Sequence, residues 1–173
     1  VSEQWCGVSV AGPRSRECIS KIVNEPNVMT NENLPFMGVI ETTLQSGILC
    51  RIARISFSGE MAFEIYVPSD YSNAMMDMLW KEAQAIGGCL YGLEALGALR
   101  IEKGHVTGAE LDGRITIDAA GLARMASTKK SYIGSAMQKR GVLSNEDREK
   151  LVGIFPRNHK ETFDAGSILC KPT

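Results

Sequence analysis

The sequence predicts an α+β fold, an antiparallel sheet with flanking helices, and two observations carry that prediction. Apolar, β-rich runs separated by turn residues crowd between residues 37 and 67, whereas longer segments whose apolar residues recur at helical spacing follow from 71 to 103. Strands gathered ahead of helices, instead of alternating with them, favour an antiparallel sheet over regular βαβ units.

Residues 5–10 read as a short strand, and Ala11-Gly12-Pro13 breaks it. Pro13 is well placed as a first-turn residue for a helix over 14–23, where Cys18, Ile19 and Ile22 fall at helical spacing. With two prolines and four asparagines, residues 24–35 have no periodicity and read as a loop. A strand over 37–43, a turn at Gln45-Ser46-Gly47 and a strand over 48–57 come next. Residues 52–67 then read as a hairpin closed through Ser58-Gly59-Glu60.

In the second arm of that hairpin, alternation places Met61, Phe63, Ile65 and Val67 on one face and Ala62, Glu64 and Tyr66 on the other. Glu64 therefore points away from the main apolar face. Pro68 ends the strand, and Ser69 or Asp70 can cap a helix whose stripe is Tyr71, Met75, Met78, Leu79 and Ile86 and whose end is Gly87-Gly88. A second helix over 92–103 puts Leu93, Leu96 and Arg100 on one face, which sets a guanidinium on the apolar side. Beyond Gly104, a helical turn is expected over 133–139, a charged linker over 144–150, and strands over 151–156 and 166–170.

Composition excludes several functions. Nineteen basic against twenty acidic residues give a net charge of −1, so nothing marks the chain for nucleic acid or an anionic membrane surface. No apolar run approaches the about 18 residues of a spanning helix. No leader pattern opens the sequence, and a cytoplasmic location is expected. The five cysteines are odd in number and lack a C-x-x-C pair, which fits reduced core thiols. His105 and His159 have no ligand-spaced companions, so no metal is expected. No G-x-S-x-G elbow, G-x-G-x-x-G turn or phosphate-binding loop is present. What remains is Glu64 with Arg100, a carboxylate and a guanidinium that can together bind a ligand offering both donors and an anion.

Residues 54–65 (RISFSGEMAFEI) resemble the R-x-x-Y/F-T/S-G-E-x-G/A-F/Y-E-I/V signature of the glycine-cleavage T-protein (aminomethyltransferase) family. Residues 92–104 (GLEALGALRIEKG) are similar to its G-x-x-A-x-x-x-L-R-x-E-x-G helix, Gly12-Pro13 with Arg16 to its upstream G-P turn, and residues 130–134 (KSYIG) to its K-x-F/Y-I-G motif. Within the family, the SFSGE variant, the E-K-G ending and residues 148–155 (REKLVGIF) most resemble the folate-binding part of sarcosine oxidase α subunits.

The resemblance implies a T-protein-like folate-binding fold over 1–143, lacking its N-terminal part, and the start of a β-barrel-like domain over 144–173. It implies tetrahydrofolate as ligand, with Glu64 on the donor edge of the pterin, Arg100 in the same site, and Glu60 and Phe57 beside it. Phe57 stands where many relatives carry tyrosine, so that hydroxyl is absent here. The family's catalytic aspartate lies outside these residues, so no catalytic residue is assigned. The resemblance further implies a piece of a hetero-oligomeric oxidase whose flavin and NAD bind elsewhere and whose other subunits are its partners. A T-protein acting on a lipoyl carrier, and a non-catalytic folate-binding or assembly module, remain alternatives.

Overall fold

Four strands form one antiparallel sheet in the order β1-β4-β3-β2, with β1 at Trp5–Ala11, β2 at Val39–Thr43, β3 at Leu49–Ala53 and β4 at Ala62–Pro68. The computed structural model describes residues 2–111, 113–145, 147–164, 166–168 and 170. Contacts divide the chain into two units, Val1–His105 and Val106–Thr173, and the sheet belongs to the first. The junction expected at 143–144 lies within the second.

The expected turn at 45–47 joins β2 to β3. Leu44 N–H donates to Ile48 C=O and Gly47 N–H to Leu44 C=O, both at 2.8 Å. Gly47 sits at φ +80, a conformation glycine adopts at no steric cost. The hairpin expected over 52–67 pairs as predicted, with Ile52 opposite Ile65 and Ala53 opposite Glu64, but its first arm is shorter than expected. The strand ends at Ala53 instead of reaching Phe57. Arg54 still trades backbone bonds with residues just before β2, its N–H to Gly38 C=O and Met37 N–H to its own C=O, each at 2.9 Å. Beyond it, serine hydroxyls take over from the ladder: Ser56 Oγ accepts from Gly59 N–H at 3.0 Å and Ser58 Oγ from Glu60 N–H at 3.4 Å. Residues 54–61 are thus a loop held by side chains, not a tight turn.

Phe63, Ile65 and Val67 of β4 are fully buried, as alternation requires, together with Cys50 and Ile52 of β3, whereas Met61, expected on the same face, precedes the strand and is exposed, and Ala62, expected on the other face, is buried. Two helices cover that face. Helix α1 (Ser15–Ser20) contributes Cys18 and Ile19, and α2 (Ser72–Ala85) contributes Met75 and Leu79 to the same cluster. The first helix stops earlier than its spacing predicted, because Lys21 and Ile22 bond three residues back, to Cys18 and Ile19, tightening the last turn. Ile22 and Val23 stay buried beyond it, and Val23 bridges Leu44.

The cap expected at Ser69 or Asp70 is not formed. A short 3-10 turn, Ser69–Tyr71, leads into α2 without a side-chain cap, and Ser69 Oγ donates to Glu3 C=O instead. Tyr71, expected in the buried stripe, is exposed. The far end behaves as read: Gly87 takes φ +77, and Gly88 N–H closes onto Ala83 C=O at 2.7 Å. Helix α3 (Leu93–Lys103) forms where expected and ends at Gly104 in the left-handed region, but none of its residues is buried and Leu93 is 86% exposed. Among the described residues no helix is long and apolar enough to cross a membrane.

The second unit is built mainly of turns around buried Ala119 and Ala120, with a 3-10 turn at Ala123–Met125 and a one-turn helix α4 (Ser135–Gln138) inside the expected 133–139. The strand expected over 151–156 is not formed. Leu151 N–H donates to Ala119 C=O at 2.8 Å, but no strand runs beside this segment among the described residues. The strand expected over 166–170 includes Leu169, which lies outside the described residues.

Cys18 and Cys50 are buried, and burial pushes the Cys50 thiol up to about 11. Both should resist alkylation at pH 8 in the native protein and react once urea unfolds it. Peptide mapping after pulse labelling checks this, and rapid native labelling of Cys50 would contradict its placement in the core.

Candidate functional site on the open face of the sheet

The face of the sheet turned away from α1 and α2 carries the second set of alternating side chains. Glu64 stands near its centre, with Ser9 of β1 opposite on one side and Ala53 of β3 on the other. Both neighbours are small, so the carboxylate rises above them. Tyr66, two residues on and on the same face, lies between Gly7 and Arg51. Its hydroxyl donates to Glu64 Oε2. The ring leans over β1, where a Cβ on Gly7 would lie 2.7 Å from Tyr66 Cε1. Gly7 thus makes room for the tyrosine that reaches Glu64.

That hydrogen bond is the largest cause holding the Tyr66 phenol up to about 12, followed by burial and the Glu64 charge. At neutral pH Tyr66 is a donor. Its folded pKa lies above the ordinary 10, so its contribution to stability is complete below pH 10 and is lost as pH rises through about 12. Arg51 completes the row, with Nε 2.8 Å from Glu41 Oε1 and its guanidinium 4.5 Å from the Trp5 ring centroid. The pair is exposed, and such pairs are worth about 0–1 kcal/mol, so Arg51 edges the face more than it stabilises it.

Loop 54–61 and the end of α3 build an adjoining region. Arg54 Nη1 donates to Asn31 Oδ1 at 2.8 Å and to Leu34 C=O at 3.1 Å, and Arg16 Nη2 reaches the same Asn31 oxygen at 2.8 Å. Arg16 also lies 5.2 Å over the Phe63 ring, and burial, then the neighbouring Arg54 charge, lowers its pKa. The motif arginines therefore pin the loop to the core. Lys103 Nζ donates to Ser56 C=O, and the Lys103 stem packs on Gly59, which takes φ +96. An open cavity of about 330 Å³ lies here, lined by Phe36, Arg54, Glu60 and Lys103 among others, with Ala62 joining it to the strand that carries Glu64.

Of the residues singled out from sequence, Glu64 is half-buried and held by Tyr66. Arg100 is half-buried near the end of α3, where Nη1 donates to His105 C=O at 3.3 Å. Phe57 is 38% exposed and meets His105 edge-on at 4.7 Å. Glu60 is exposed and lines the cavity. Phe57, Glu60 and Arg100 thus cluster around loop 54–61 and the α3 terminus, while Glu64 stands on the sheet with Tyr66. Alternation placed Tyr66 on the face of Glu64 without giving it a role, Lys103 entered only as part of the E-K-G ending, and Gly7 was not singled out. A glycine opposite a large residue in an antiparallel pair was the available signal for Gly7.

A fold with this sheet and these motifs belongs to a described class. Residues 1–130 match the GCVT N-terminal domain, and the chain is a member of that family. Within it, the chain is 39% identical to the sarcosine oxidase subunit alpha of Rhizobium meliloti (strain 1021) over 99% of its length, and 38% identical to that of Corynebacterium sp. (strain U-96) over 98%. It is 30% identical to the aminomethyltransferase of Acidobacterium capsulatum over 88%. The chain spans 17% and 18% of the two sarcosine oxidase subunits and 40% of the aminomethyltransferase. The branch and family anticipated from the motifs are the ones matched.

Proposed function

We propose that the chain is the one-carbon-accepting part of a sarcosine oxidase α subunit, and that it binds tetrahydrofolate with Glu64 as the anchor of the pterin. The observation that carries this reading is the Glu64 carboxylate, standing between small residues on an open sheet face and held there by Tyr66. An ionised carboxylate is an acceptor only, with two oxygens that suit paired N–H groups on one edge of a ring. Arg100, Glu60 and Phe57 belong to the same site in this reading, with Phe57 offering ring contact and no hydroxyl.

In the whole protein, O₂ oxidises sarcosine to the iminium of glycine and is itself reduced to hydrogen peroxide. The iminium carbon then passes to tetrahydrofolate, forming 5,10-methylenetetrahydrofolate as the bond to the amine breaks and glycine leaves. The flavin and NAD of the oxidative part, and the other subunits, lie outside these residues. The role of this chain is positional: the folate amine is held where the iminium arrives, which raises its effective concentration and limits escape of formaldehyde.

The test is the fate of the carbon. The full-length protein turning over sarcosine with limiting tetrahydrofolate should deliver 5,10-methylenetetrahydrofolate, and Glu64→Gln should release formaldehyde in its place while peroxide forms at an unchanged rate. An unchanged product ratio in Glu64→Gln would contradict the assignment. A protein inert toward sarcosine but active on an aminomethyl-lipoyl carrier would establish the aminomethyltransferase reading, which the identity of 30% to such an enzyme keeps in view.

A further inference from the structure

We infer that Tyr66 is a positioning residue for the ligand of this face, fixing the Glu64 carboxylate in one orientation, and that the bare backbone at Gly7 is what allows it to do so. The inference rests on the reading of Glu64 as the ligand's anchor and adds to it a determinant two residues away. Three observations carry it. The Tyr66 hydroxyl donates to Glu64 Oε2, one oxygen of the carboxylate. Alternation sets both side chains on the same face, with Glu64 beside Ser9 and Tyr66 beside Gly7. The Tyr66 ring occupies the space a side chain at position 7 would need, since a Cβ there would meet Cε1 at 2.7 Å and Cδ1 at 2.9 Å.

A glutamate on an open face, with Ser9 and Ala53 beside it, has little packing of its own to choose a rotamer. One hydrogen bond to Oε2 removes that freedom without using the carboxylate up. Each oxygen has two lone pairs, so Oε1 stays fully available and Oε2 retains one acceptor site. A ligand with two adjacent N–H donors meets a carboxylate already turned toward it, and does not have to order it on binding. Tyr66, its phenol pushed up to about 12, keeps its proton at neutral pH and is the donor of this bond there. Gly7 has ordinary extended backbone, which makes Gly7→Ala a change in space and not in backbone strain.

A cycle of variants in the full-length protein, titrated with tetrahydrofolate, tests this. Tyr66→Phe keeps the ring and removes only the hydroxyl. It should weaken binding about five- to tenfold, the size of one ordinary net hydrogen bond and less than the loss of a direct bond from the ligand to a charged group. Gly7→Ala should weaken binding similarly by displacing the ring. In a Glu64→Ala background Tyr66→Phe should change affinity less than about twofold, since a residue acting only through Glu64 has nothing left to orient. Far-ultraviolet circular dichroism should be the same for every variant. Wild-type affinity in Tyr66→Phe would overturn the inference, as would an equal loss in both backgrounds, while a strong loss in Glu64→Ala alone would leave the anchor standing. No loss in Glu64→Ala would remove the anchor and the inference with it.

Discussion

Phe63→Ala should lower the stability of the sheet unit by about 3–5 kcal/mol, the usual cost of emptying a fully buried aromatic site. Phe63 has no exposed surface, lies opposite Val10 in the β1–β4 register and carries the Arg16 guanidinium over its ring. Alanine would remove the ring from a core in which Ile19, Ile65 and Met75 are equally buried, and none of these can collapse into the space without leaving its own. The loss reaches the open face as well. Phe63 and Glu64 are adjacent on one strand, so a β4 that loosens on its core side no longer holds Glu64 at a fixed register between Ser9 and Ala53. Urea unfolding followed by tryptophan fluorescence measures the effect, because Trp5 and Trp80 both lie in this unit. A shift of less than about 1 kcal/mol, in the range of a surface substitution, would contradict the burial described.

Glu64→Gln should weaken tetrahydrofolate binding about 10- to 100-fold. A hydrogen bond to a charged group contributes roughly 1.5–3 kcal/mol, and each 1.4 kcal/mol is a factor of ten. The amide does more than remove a charge. It replaces one acceptor oxygen by an NH₂ donor, so one of two ligand N–H groups would face another donor. Sites built to match a particular donor pattern lose most when a partner is left unpaired. Arg51 supplies the contrast on the same face. Bound to Glu41 and stacked on Trp5, it already has its partners.

The sheet was legible because β4 is written in period two. Phe63, Ile65 and Val67 could only be its inner face, and Glu64 and Tyr66 its outer one, so the central strand and the direction of the candidate anchor followed from alternation alone. The course of the loop after β3 was not legible, because part of what holds it is distant in sequence: the Arg54 side chain bonds to Asn31 and Leu34, and no local propensity encodes those partners. Ser69 failed as a cap for a similar reason, its hydroxyl being taken by Glu3. The expected strand over 151–156 has the right residues, but a strand exists only with a neighbour, which no local pattern supplies. Helix α3 shows the limit of the spacing argument. Leu93, Leu96 and Arg100 do recur on one side of a helix, yet Leu93 is exposed, since periodicity names a face without saying what covers it. At the site, motifs marked Glu64 and Arg100, whereas the bond from Tyr66 to Glu64 and the space above Gly7 emerge only when β1 and β4 lie side by side.

The Glu64 carboxylate is proposed to anchor a folate on the open face of this sheet. Calorimetric titration of tetrahydrofolate into the full-length protein, wild type beside Glu64→Gln, tests it most directly. The wild type should bind saturably and the variant about 10- to 100-fold more weakly, with a less favourable binding enthalpy. Equal affinity for the two proteins, or no binding to the wild type, would contradict it.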